Sequence, residues 1–271
     1  MAGELDNVAY GEQGVEDDQS VEDEPELAST EPGIQCPPIQ LSEVYLSIQG
    51  EGKYVGTPSL FIRTVGCNQA CSFCDTQNNR ARHALTIPVV LKMIADNPNV
   101  DIVITGGEPM LQAEAISVII NATMVFWNQI GAEPRTITIE TNGTISPFRL
   151  DVSADVFQNI FWSVSPKLRS SAMDYTNVKF KDFLRCENKQ FKFPINPFNA
   201  DDLADFKTIM CFIPDDVLVV VQPVHEPNVD IPEYMATTQE LVNFILGSGY
   251  FQVRVIPQTH KLIWGLDSYS V

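Results

Sequence analysis

The chain has 271 residues, 44% of them apolar, and a formal net charge of −18. Residues 1–40 hold eleven acids and no Lys or Arg, and subtracting that −11 leaves −7 for residues 41–271. Duplex nucleic acid is thereby disfavoured as a direct partner, because binding it requires Lys and Arg to neutralise phosphates. No run of about 18 apolar residues marks a membrane span, and the first residues lack the basic and apolar stretches of a secretory leader. The expected setting is the cytoplasm and the expected substrate a small molecule.

Residues 1–38 are acidic, poor in aromatics and end in Pro37-Pro38. Such a stretch has too little apolar surface to offset its ordering entropy, so it reads as a disordered tail before a single domain over 39–271. Strand patterns follow at Leu41–Ser47 and Ser59–Val65, with Gly50, Gly52 and Gly56 in the loop between them. Then come a helix over Thr86–Ala95, a strand over Asp101–Thr105, a helix over Leu111–Gln129 and a strand over Arg135–Glu140. Strands at Ile160–Val164 and Val217–Gln222, a helix over Thr238–Leu246 and a strand over Phe251–Ile256 complete the series. Residues 168–200 resist assignment and read as an insertion. Short apolar strands alternating with helices imply a parallel sheet covered by helices. The polar candidates sit just after strand C-termini, the edge where α/β barrels build their sites, so the fold reads as an incomplete α/β barrel.

The strongest chemical signal is Gly66–Thr76, GCNQACSFCDT, in which Cys67, Cys71 and Cys74 are separated by three and then two residues. Three thiolates can hold three irons of a cubane cluster and leave the fourth open for a ligand. The alternatives are a zinc site, which wants a fourth ligand usually supplied as part of a second pair, and a chance grouping. Cys36, Cys186 and Cys211 read as plain thiols. Thr105–Pro109, TGGEP, closes a strand with two glycines that let backbone approach a ligand, and Glu108 could accept from an ammonium. In isolation that stretch reads better as a plain turn.

Together the triplet, with Phe73 before its last cysteine, and TGGEP one βα unit later resemble the radical S-adenosylmethionine (SAM) superfamily. Further residues narrow the likeness: Gln49-Gly50-Glu51-Gly52, Gly56-Thr57-Pro58, Phe61-Ile62-Arg63, Cys74-Asp75-Thr76, Glu140-Thr141-Asn142-Gly143, Ser165-Pro166-Lys167, and Pro257-Gln258 with His260-Lys261. They resemble the 7-carboxy-7-deazaguanine synthase family over about residues 41–271. The resemblance implies an abbreviated TIM-like (β/α) barrel, usually dimeric. It implies radical contraction of 6-carboxy-5,6,7,8-tetrahydropterin to 7-carboxy-7-deazaguanine with loss of ammonia, using a [4Fe–4S] cluster, SAM and magnesium. A flavodoxin or ferredoxin would supply the electron.

By residue, the resemblance implies cluster ligation by Cys67, Cys71 and Cys74 and magnesium binding by Thr76. SAM contacts would come from Phe73, Asp75, Gly107, Glu108, Ser165, Pro166 and Lys167, and substrate contacts from Ile48, Gln49, Gly50, Glu51, Arg63, Thr105, His260 and Val271. Gln49 and Glu51 offer an amide and a carboxylate suited to an aminopyrimidinone edge. Arg63 offers a charged fork, its plain alternative being a surface salt bridge. Asn142 and Gln222 are secondary candidates. Competing readings are a glycyl-radical-enzyme activase, which has no need of the Gln49–Gly52 loop, and a non-catalytic iron–sulfur protein, which would want a fourth cysteine.

Overall fold

The computed structural model describes residues 37–74, 85–224 and 229–266. The acidic tail, except for Pro37-Pro38, and the expected site residues Asp75, Thr76 and Val271 lie outside the described residues. Within the unit Cys36–Val271, the chain opens with Leu41–Ile48 (β1) antiparallel to Pro58–Thr64 (β2), Leu41 opposite Thr64 and Ile48 opposite Pro58. Every later neighbour is parallel: Asp101–Gly106 (β3), Ile137–Thr141 (β4), Ile160–Val164 (β5), Lys189–Ile195 (β6), Leu218–Pro223 (β7) and Val253–Val255 (β8). The strands lie in chain order, β1 and β8 at the two edges. This is the abbreviated TIM-like barrel expected from the sequence. β3, β5 and β7 are near-continuous apolar runs because parallel strands are covered on both faces.

The helices are Ile87–Asp96 (α1), Ala113–Gln129 (α2), Ala154–Asn159 (α3), Phe180–Phe183 (α4), Ala200–Met210 (α5), Ile231–Ser248 (α6) and Thr259–Trp264 (α7). Together with its leading turn, α2 is long and apolar enough to cross a membrane. Ile116, Ile119, Ile120 and Trp127 are nevertheless buried in one core with Ile102, Ile104 and Ile139 of the sheet, which marks it as a core helix. α6 begins seven residues before the expected Thr238. Asp230 accepts from Glu233 N–H at 2.9 Å while the Glu233 side chain accepts from Asp230 N–H, a capping box that starts the helix at Ile231.

The main departure from the sequence reading concerns residues 168–200. They are no insertion: Lys189–Ile195 is the sixth strand, pairing Trp162 with Lys189 on one side and Phe193 with Val221 on the other. Its polar members Lys189, Gln190 and Lys192, followed by Pro194, hide an otherwise buried strand.

Candidate active site

The C-terminal ends of the parallel strands open into a cleft of about 270 Å³. Phe61 and Arg63 of β2, Val103 and Thr105 of β3, and Lys192 and Pro194 of β6 line it as pairs two residues apart. That spacing is the period of one sheet face. Glu140 of β4 and Gln222 of β7 join them.

One wall carries sulfur. Cys67, Cys71 and Cys74 follow β2 in a single loop and all border the cleft, as does Phe73. The loop is tied internally, Cys74 N–H donating to Cys71 O at 3.2 Å and Gln69 N–H to Cys67 Sγ at 3.4 Å. Burial raises the thiols of Cys67 and Cys71 above their ordinary range, while the nearby Lys167 ammonium pulls the other way. Lys167 donates to Ser165 Oγ at 2.9 Å, and both residues border the cleft. Pro166, between them, does not reach it.

Gly107 lets this wall close up. A Cβ there would sit 2.0 Å from Gly66 O and 3.1 Å from Cys67 Cβ, so a side chain would push the cysteine loop off the end of β3. Among the described residues no three His, Cys, Asp or Glu side chains close on a single metal ion. A cubane makes a different demand, with each thiolate on its own iron, and three thiols around one cleft fit that demand.

Glu108 stands behind the wall rather than on it. The side chain is fully buried, and its carboxylate accepts from Met110 N–H at 3.0 Å, Thr141 hydroxyl at 2.7 Å and Asn142 N–H at 2.7 Å. Burial raises its pKa and these donors oppose the rise. An acceptor for an incoming ammonium would have to face the cleft; Glu108 instead staples the end of β3 to the end of β4, and so shapes the backbone of Gly106 and Gly107.

The opposite wall is polar. The ammonium of Lys192 donates to Glu51 Oε2, and to Glu140 Oε1 at 3.1 Å. Each carboxylate has a second donor: Gln258 Nε2 at 2.5 Å from Glu51 Oε1, and Thr105 hydroxyl at 2.9 Å from Glu140 Oε2. Burial alone would raise the Glu51 carboxyl, but the charges of Lys192 and His260 and the hydrogen bonds from Lys192 and Gln258 outweigh it and hold the group well below the usual carboxylate range. Burial would lower Lys192, and the two carboxylates outweigh that and raise it.

His260 on α7 packs over the same loop. A Cβ on Gly50 would meet its Nδ1 at 2.0 Å, and Thr259 N–H donates to Gly50 O at 2.8 Å. Ile48 and Gln49 also border the cleft, and the Gln49 amide donates to Ser59 Oγ at 3.1 Å.

Arg63 stands at the cleft beside a partly buried acid. It lines the cleft, yet its guanidinium pairs with Glu43 at 2.6 Å and donates to Tyr45 Oη at 2.6 Å. Burial lifts the Tyr45 phenol to about 12, so it stays neutral at physiological pH. Gln222 Oε1 is buried and has no hydrogen-bond partner among the described residues, an acceptor placed for a ligand donor. Sequence reasoning assigned no role to Lys192, Glu140, Gln258 or Tyr45. The available signal was Lys192 between Phe191 and Phe193, a period-2 strand whose middle residue faces the other way.

Three cysteines at one strand end, a glycine pair at the next and a partial barrel define a radical SAM protein, and the sequence model of the Radical SAM superfamily matches residues 61–161. A 7-carboxy-7-deazaguanine synthase from Aquifex aeolicus is 31% identical over 229 residues, 82% of this chain and 92% of that protein. Another from Halobacterium salinarum is 37% identical over 143 residues, 51% of this chain and 49% of that one. The chain belongs to the 7-carboxy-7-deazaguanine synthase family. The crystal structure of QueE from Escherichia coli shares its fold, with a TM-score of 0.58 at 20% identity over 82% of this chain and 95% of the other. The superfamily brings with it a [4Fe–4S] cluster and SAM, which the thiol wall fits.

Proposed function

We propose that the protein converts 6-carboxy-5,6,7,8-tetrahydropterin to 7-carboxy-7-deazaguanine with loss of ammonia, feeding 7-deazapurine biosynthesis. The observation that carries this reading is the division of one cleft into a thiol wall and a wall of balanced charges. Cys67, Cys71 and Cys74 would hold the cluster, with SAM along Gly107, Ser165 and Lys167 and against Phe73. When bound, the cluster and SAM supply a carbon radical able to abstract a substrate hydrogen.

The chain's own residues bind, orient and exclude water. Lys192 keeps Glu51 ionised, so Glu51 remains an acceptor for the N–H donors of an aminopyrimidinone edge even though it is buried. Gln258 and Thr105 fix the outer oxygens of Glu51 and Glu140, which holds both carboxylates in one orientation before substrate arrives. Arg63, steadied by Glu43 and Tyr45, presents a positive edge on the same side. His260 closes the loop of Gly50 from above. Magnesium at Thr76, a reduced flavodoxin or ferredoxin as electron donor, a homodimeric state and a cytoplasmic location complete the proposal. A reducing compartment keeps three open thiols available for iron.

The test is product identification from anaerobically reconstituted protein given 6-carboxytetrahydropterin, SAM and a reductant. Formation of 7-carboxy-7-deazaguanine supports the reading. SAM cleavage without that product points to an activase, and absence of both reactions from iron-loaded protein points to a non-catalytic iron–sulfur protein.

A further inference from the structure

The cysteine loop is held from outside the cleft. Ser72, exposed between Cys71 and Cys74, donates its N–H to Ser171 O and its hydroxyl to Ser170 O, both at 2.9 Å. These acceptors lie in the turn Arg169–Ala172, immediately after Ser165–Lys167. Ala172 has φ 60°, alone among the described non-glycine residues in taking a positive φ, which L side chains avoid.

What holds the turn is the first helical turns of α5. Asp202, fully buried, accepts from Ser170 N–H at 2.8 Å, from Ser170 hydroxyl at 2.6 Å and from Asn196 N–H at 3.0 Å. One turn further on, Asp205 takes the Arg169 guanidinium in two hydrogen bonds, at 2.6 and 3.1 Å.

We propose that Asp202 is a positioning residue for the iron–sulfur cluster. Through Ser170 it presents the two carbonyls that grip Ser72, and thereby fixes the loop carrying Cys71 and Cys74. Loss of a group bonded directly to a metal ligand commonly weakens binding about 10–100-fold, and Asp202, acting through Ser170 and Ser72, is expected at the lower end of that range. Asn at this position would keep the shape but turn an N–H₂ toward one of the donors Asp202 now receives. The inference rests on the three thiols being the cluster ligands.

The experiment follows iron release from reconstituted holoenzyme to a chelator, anaerobically, by decay of the cluster's visible absorbance. Wild type, Asp202→Asn, Ser72→Ala and the double variant are compared, with an electron paramagnetic resonance spectrum of each reduced cluster. Asp202→Asn should release iron about tenfold faster and broaden the spectrum. Ser72→Ala should release it several-fold faster. The double variant should be no faster than Asp202→Asn, because both changes act along one path. Wild-type release from Asp202→Asn with only a lowered melting temperature, or multiplied effects in the double variant, would overturn the proposal. If Asp202→Asn does not fold, Ser72→Ala decides alone, and release at the wild-type rate overturns it. Wild type that takes up no iron would sink the cluster reading itself, a different outcome.

Discussion

Replacing Lys192 by Met removes one buried cation and leaves two carboxylates, Glu51 and Glu140, facing the space it occupied. Breaking a buried ion pair from one side costs about 3–5 kcal/mol. In a domain of this size each kcal/mol is roughly 2–4 °C of melting temperature, so Lys192→Met should melt about 6–20 °C below wild type near neutral pH. The sign of the pH dependence discriminates further. In wild type the folded Glu51 carboxyl lies below its unfolded value, so its contribution is full above the unfolded carboxylate range and is lost only as pH falls through the depressed value. The folded Lys192 ammonium lies above its unfolded value, so its contribution is full below the unfolded lysine range and is lost only as pH rises through the raised value. Wild type should therefore gain nothing from this group between pH 7.5 and 5.5. In the variant two carboxylates share a site from which the ammonium is gone, one takes up a proton as pH falls, and the deficit shrinks. Melting curves of the iron-free protein at both pH values check this. A deficit under about 2 °C, or one that grows on acidification, would refute the charge balance assigned to this wall.

Cys71→Ala should abolish SAM cleavage and iron binding, while Cys186→Ala and Cys211→Ala leave both intact; iron analysis and a cleavage assay decide. Arg63→Ala should lower deazaguanine formation about ten- to hundred-fold, the worth of a charged hydrogen bond, and spare slow SAM cleavage in the absence of substrate. Equal loss of both reactions at full iron content would move Arg63 to the SAM side. Glu108→Gln should weaken SAM cleavage through the loop it staples, with a lowered melting temperature as the accompanying sign. Removing residues 1–38 should leave turnover unchanged, and a large loss would make the acidic segment part of the machinery.

What the sequence discloses is local chemistry. Cys67, Cys71 and Cys74 are legible because their spacing alone puts them in one loop, and TGGEP is legible because it ends an apolar strand. The buried setting of Glu108 was hidden because its partners, Thr141 and Asn142, lie at the end of the neighbouring strand, and only the β3–β4 pairing brings them to its carboxylate. Lys192 went unassigned because a cation among phenylalanines looks unlike a barrel strand until two acids, Glu51 of the β1–β2 loop and Glu140 of β4, are seen to surround it. The long reach of those contacts, from Glu51 to Lys192 and on to Gln258, is what periodicity within a short window cannot register. Arg63 was read as a choice between cleft and salt bridge, although one guanidinium has donors enough for both.

The closeness of Gly50 and His260 joins the two ends of the domain at one wall of the cleft. The three thiols, Gly107 and Ser165–Lys167 all emerge from the ribosome within one stretch of about a hundred residues. The polar wall instead joins Glu51 to Lys192, Gln258 and His260, drawn from a span of more than two hundred. A chain interrupted before Gln258 holds every cluster ligand and every proposed SAM contact among the described residues, and keeps Lys192, yet lacks Gln258 and His260 beside Glu51. The half of the cleft that meets the cofactor is thus encoded compactly, and the half that meets the substrate is finished only by the last helix.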